Sequence, residues 1–88
     1  MRAHYSPTEQ ALLDLLLKYP TGNWTINELT DYYYSKRKTR PRHATIVVNK
    51  AIHELMDKST INREKFTIQR IEQVGKTGDL IRILHEKG

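Results

Sequence analysis

The chain has 88 residues, enough for one domain with one core. It has no cysteine, which excludes disulfide staples and thiolate metal sites and fits a reducing, cytoplasmic setting; no apolar run approaches membrane-spanning length, and the N-terminus lacks a signal-peptide core. A net charge of +5 and a pI near 9.6 call for an acidic partner, and the charge is unevenly placed: Lys36, Arg37, Lys38, Arg40 and Arg42 account for all of it, leaving ten bases against ten acids elsewhere.

Residues 1–5 read as a loose arm. Ser6-Pro7-Thr8-Glu9 is a helix start: Ser6 can cap, Pro7 suits the first turn, and Glu9 is placed to close a capping box. The first helix is expected from Pro7 to about Lys18, with Leu12, Leu15, Leu16 and Tyr19 at i, i+3, i+4, i+7 facing the core. Leu13 and Leu17 widen the apolar arc. That width suits either a helix enclosed by its own domain or a helix that also meets a second copy in a homodimer.

Pro20-Thr21-Gly22-Asn23 is a turn, and Trp24-Thr25-Ile26 has the character of a short strand. Thr25-Ile26-Asn27-Glu28 offers a second capping box, with Asn27 as an alternative cap, and opens a helix running to about Ser35. Ile26, Leu29 and Tyr33 should face the core, with Tyr32 and Tyr34 on its flanks. Three adjacent helical tyrosines point in different directions, so half-buried packing is favoured over a base-stacking platform.

The basic stretch follows, and no acid occurs between Asp31 and Glu54. Pro41 disfavours helix at Arg40 and can open the next one, expected over roughly Arg42 to Lys58. At 100° per residue, Ala44, Val47, Val48, Ala51, Ile52 and Leu55 share one side. Ile46, Asn49, Lys50, His53 and Asp57 lie opposite, with Thr45 and Met56 at the edges. Ser59-Thr60-Ile61-Asn62 should end the helix.

Phe66–Val74 and Asp79–His85 are rich in β-branched residues and flank Gly75-Lys76-Thr77-Gly78, which reads as the tight turn of a β-hairpin with Lys76 at its tip. The phase of the first strand breaks, since Phe66 and Ile68 alternate together but Ile71 does not. A bulge near Arg70 would repair this; a helix over Asn62–Val74 is the rival reading.

The resulting class is α+β: helix, short strand, two helices, two-stranded hairpin. That is the order of a three-helix winged helix-turn-helix domain with a C-terminal two-stranded wing, and it covers nearly the whole chain. Such a fold projects the free face of its third helix outward, and a helix fits the major groove of double-stranded DNA. The pattern also resembles the winged-helix effector domains of bacterial response regulators. There an opening Leu-Thr-x-x-Glu helix, a Pro-Gly turn, a long loop, a recognition helix and a wing follow in the order of Ser6-Pro7-Thr8-Glu9, Pro20-Thr21-Gly22, and residues 36–42, 42–58 and 66–85 here. Where that family has Gly-x-Gly-Tyr in the hairpin, this chain has Gly75-Lys76-Thr77-Gly78.

Within this fold the expected DNA-binding roles divide. Lys36, Arg37, Lys38, Arg40 and Arg42 would hold phosphates, which positions the protein without reading sequence. His43, Thr45, Ile46, Asn49, Lys50 and His53 would approach base edges: Asn49 for adenine, Lys50 for guanine, Ile46 for a thymine methyl. Lys76 and Arg82 would track the backbone or minor groove at the wing. The implied protein is a small transcriptional regulator; the alternatives are a winged helix used for protein contact and an RNA-binding protein. Enzymatic activity is not expected. His4, His43, His53 and His85 form no His-x-x-x-His pair, the Gly-Lys-Thr at 75–77 lacks the upstream glycine of a phosphate loop, and no metal or cofactor site is called for.

Overall fold

The protein is described by a computed structural model covering residues 2–75 and 78–85. Helix α1 spans Pro7–Lys18 and starts as its sequence dictates. The Glu9 backbone N–H donates to Ser6 Oγ at 3.2 Å, and the Ser6 N–H donates to Glu9 Oε1 at 3.0 Å. The same carboxylate accepts from Lys58 Nζ at 2.6 Å and is 2% exposed, so the cap of α1 is also a buried ion pair to the end of the third helix. After α1 the chain turns through Gly22. A Cβ there would meet Trp24 Nε1 at 3.0 Å and the Tyr19 carbonyl oxygen at 3.2 Å, so close approach of indole to backbone requires glycine.

Strand β1 (Trp24–Thr25) leads directly into helix α2 (Ile26–Tyr34), whose capping box joins Thr25 and Glu28. The tyrosines serve packing. Tyr33 Oη lies 3.1 Å from Thr8 Oγ1, its ring meets Tyr34 edge-on at 4.9 Å, and Tyr32 abuts Trp24.

Helix α3 spans Ala44–Ile61, starting two residues later and ending three later than expected. Pro41 opens a turn, with the Ala44 N–H on the Pro41 carbonyl, in place of the first helical turn itself. The far end closes on a Schellman pattern: the Glu64 N–H donates to Ser59 O and the Arg63 N–H to Thr60 O, both at 3.1 Å. The left-handed residue is Arg63 (φ 53°), so no glycine marks this terminus. Residues 2–5 are not a loose arm. The Ala3 N–H donates to Asn62 Oδ1 at 2.6 Å, Asn62 Nδ2 donates to Ala3 O at 2.9 Å, and Tyr5 Oη donates to Glu64 at 3.1 Å.

Strands β2 (Phe66–Ile71) and β3 (Leu80–His85) form an antiparallel hairpin, and β1 adds to the other edge of β3, giving the order β1-β3-β2. The register runs unbroken from Phe66↔His85 to Ile71↔Leu80. Neither the rival helix nor the bulge near Arg70 is present. Pairing stops at Ile71↔Leu80, short of Val74; of the tight turn expected at 75–78, Lys76 and Thr77 lie outside the described residues. Gly75 (φ 75°) and Gly78 (φ 88°) take left-handed positions.

The core lies between the three helices and the inner face of the sheet. Leu12, Leu15 and Leu16 of α1, Leu29 of α2, Val48, Ile52 and Leu55 of α3, and Ile68, Ile81 and Ile83 of the sheet are all buried. Each fully buried Leu or Ile here is worth about 1.5–3 kcal/mol. Leu13 is buried too, at 4% exposure, because α1 packs against α2, α3 and β3 at once. Of the two residues that widen the apolar arc, Leu13 is thus used within the domain and Leu17 is left exposed. Tyr19, expected in the core stripe, lies past the helix end and half out of it, against Trp24.

Candidate nucleic-acid interface

All five cations of the 36–42 loop are exposed, and they are not equivalent. The Arg37 guanidinium lies over the Tyr33 ring, 4.3 Å from its centroid, which fixes its base while leaving its edge to solvent. Arg40 pairs with Asp31 of α2. Both partners are well exposed, so the pair stabilises little, but it sets an anion beside one of the phosphate-binding candidates. Among the described residues Lys36, Arg37, Lys38 and Arg42 take part in no ion pair.

Where this loop enters α3, the helix keeps its apolar side inward as its periodicity requires. Ile46 is 67% exposed, Lys50, His43 and His53 are exposed, and Thr45 and Asn49 are half-buried. Gly78 and Asp79, just before β3, stand beside this face. A cleft of about 450 Å³ is lined by Ile26 at the start of α2, by Thr45, Ile46 and Asn49, and by Arg70, Gly78 and Asp79 of the hairpin. The structure therefore brings Thr45, Ile46 and Asn49 together between α2 and the hairpin, with Lys50 and His53 continuing along the helix.

Arg70 organises this cleft. It shares the inward phase of Phe66 and Ile68, but it lies beyond the core and over the polar side of α3. Its Nη2 donates to Asn49 Oδ1 at 2.6 Å, its Nη1 lies 3.0 Å from His53 Nε2, and its Nε donates to Asp79 Oδ2 at 2.6 Å. A guanidinium has only donors, so Asn49 meets it with its carbonyl oxygen. Asn49, expected as a free adenine reader, thus has its oxygen already engaged.

The hairpin treats the other candidates differently. Arg82 alternates with the inward Ile81 and Ile83, so it lies on the outer face of the sheet, where its Nε donates to Gln69 Oε1 at 2.9 Å. It is not brought to the face that carries Ile46 and Asn49. Lys76 lies outside the described residues. Arg70 and Asp79 were missed by sequence reasoning. The available signal is a charged residue, Arg70, in the phase of Phe66 and Ile68, which a bulge introduced to bring Ile71 into that phase conceals. Among the described residues no three His, Asp or Glu side chains converge as a metal site, and no helix is long and apolar enough to cross a membrane. No protein-family model matches the chain, and searches of curated proteins and of solved structures find no match.

Proposed function

We propose that the chain is a winged helix-turn-helix domain that binds double-stranded DNA sequence-specifically, as a small transcriptional regulator does. α3 would enter the major groove, the 36–42 loop would hold phosphates on one side, and the β2–β3 hairpin would act as the wing on the other. The observation that carries this reading is the outward side of α3, with Ile46 and Lys50 exposed and Thr45 and Asn49 half-buried beside them, free of acids of its own and set between a cationic loop and a hairpin. The element order and the β1-β3-β2 sheet support it, since they set the hairpin against the same helix.

Salt titration of duplex binding tests the proposal. With Arg40 held by Asp31, about four to five phosphate contacts remain, so log K should fall against log salt with a slope near −4. Duplex binding that is absent at low salt, or flat with salt, would refute it. A protein-docking role would instead survive neutralisation of Lys36, Lys38 and Arg42, and an RNA-binding role would show preference for structured RNA over the matching duplex.

A further inference from the structure

On the premise that α3 reads DNA, we propose that Arg70 is a positioning residue for base recognition. It holds the Asn49 amide with its oxygen turned toward the hairpin and its Nδ2 turned to the groove. The face would then present a fixed donor, suited to an acceptor on a base edge: a purine N7 or guanine O6.

Three observations lead here. A terminal amide is close to symmetric in shape, so only its hydrogen bonds decide which end points where. Arg70 decides it, because Nη2 at 2.6 Å from residue 49 tolerates an acceptor and rejects an NH2 group. Arg70 is itself held on two further sides, by Asp79 Oδ2 at 2.6 Å and by His53 Nε2 at 3.0 Å. Its strand is fixed by the unbroken Arg70↔Ile81 register, with Ile81 fully buried behind it. The amide therefore needs no reordering on binding, and preorganisation of this kind turns a weak contact into a discriminating one. Asp79 has a second effect: it neutralises Arg70, so this guanidinium serves the reading residue and not a phosphate.

The test is selection from a random duplex pool, followed by competition between duplexes differing at the base pair read by residue 49. Wild type, Arg70→Met, Arg70→Lys and Asn49→Asp are compared, with the Asn49 side-chain amide signals followed by NMR in the free protein. Wild type should discriminate at that pair by roughly 10-fold. Arg70→Met should keep salt-dependent binding but lose most of that discrimination, and the two Asn49 NH signals should both move to the positions of a freely solvated asparagine. Arg70→Lys, which keeps a donor, should recover part of both. Asn49→Asp keeps the partner of Arg70 but removes the outward donor, so preference should move toward cytosine, whose N4 amine donates. If wild type selects no sequence, the DNA-reading premise fails. If wild type selects a sequence and Arg70→Met keeps the same preference, the premise stands and the positioning role is overturned. Should Arg70→Met fail to fold, Asn49→Asp decides alone: an unchanged preference overturns the inference.

Discussion

Removing the amine of Lys58 should reverse the way Glu9 responds to acid. Glu9 is 2% exposed, and burial alone would push its carboxyl up. The Lys58 ammonium, the Ser6 N–H and the Glu54 and Ser6 side chains outweigh burial and hold it at about 2, against an ordinary 4.5. The folded value lies below the unfolded one, so the associated stability is fully present above about pH 4.5 and is lost as pH falls toward 2. The difference corresponds to about 3 kcal/mol at neutral pH. That is a large share of the roughly 5–10 kcal/mol expected of a domain this size.

In Lys58→Met the largest lowering influence is gone and the buried carboxylate stands against apolar surroundings. Destabilisation at pH 7 should be about 3–5 kcal/mol, the range for stranding one partner of a buried pair. The gap between variant and wild type should close as pH falls from 5 to 3, because protonation relieves the variant while it weakens the wild type. Urea denaturation from pH 3 to 7 reads both effects, and the difference between the two proteins cancels the exposed carboxylates. Glu9→Gln combined with Lys58→Met keeps a side chain able to close the capping box and should recover most of the loss. Parallel curves for wild type and Lys58→Met at every pH would refute the account.

Other consequences are open to the same kinds of measurement. Leu13→Ala should cost about 2–5 kcal/mol in urea denaturation, whereas Leu17→Ala, 37% exposed in the wild type, should cost below about 1 kcal/mol. Arg63→Val should destabilise by about 1–2 kcal/mol, because a β-branched residue is poorly suited to φ 53°. Arg63→Gly should change stability by less than about 1 kcal/mol, since relief of the left-handed backbone is offset by a freer unfolded chain. Asp31→Ala should tighten duplex binding at low salt by freeing Arg40, with the gain fading as ionic strength rises.

Local signals were legible wherever a side chain acts within one turn of itself. Both capping boxes, the start of α1, the β1 pair and the inward side of α3 follow from short-range chemistry, and the structure has them in place. Tertiary decisions were not legible. Leu13 looks peripheral on a wheel, and only the packing of α1 against three neighbours buries it. Arg63 ends α3 without the glycine that would announce it, and Asn62 fastens Ala3, 59 positions away, by two hydrogen bonds. The candidate site divides the same way. The exposure of Ile46 and Lys50 follows from helical phase, but the engagement of Asn49 depends on which strand residue crosses above it.

That dependence bears on how such a surface would discriminate. Two arginines near the α3 face are each held by an acid, Arg40 by Asp31 and Arg70 by Asp79. Every cation removed from phosphate contact lowers sequence-independent affinity and flattens the salt response. The contribution of base edges is unaffected, so a change in phosphate contacts scales specific and non-specific binding together. The sequence shows a block of five positive charges; the folded chain restrains one of them and places a sixth, neutralised cation over the polar side of α3. A domain built only to grip phosphate would gain nothing from Asp31 and Asp79. Asp31→Ala should therefore raise affinity for all duplexes alike at low salt, whereas Asp79→Ala, which also loosens the Arg70 that holds Asn49, should narrow the difference between them, and discrimination left intact in Asp79→Ala would show that this acid does not act through residue 49.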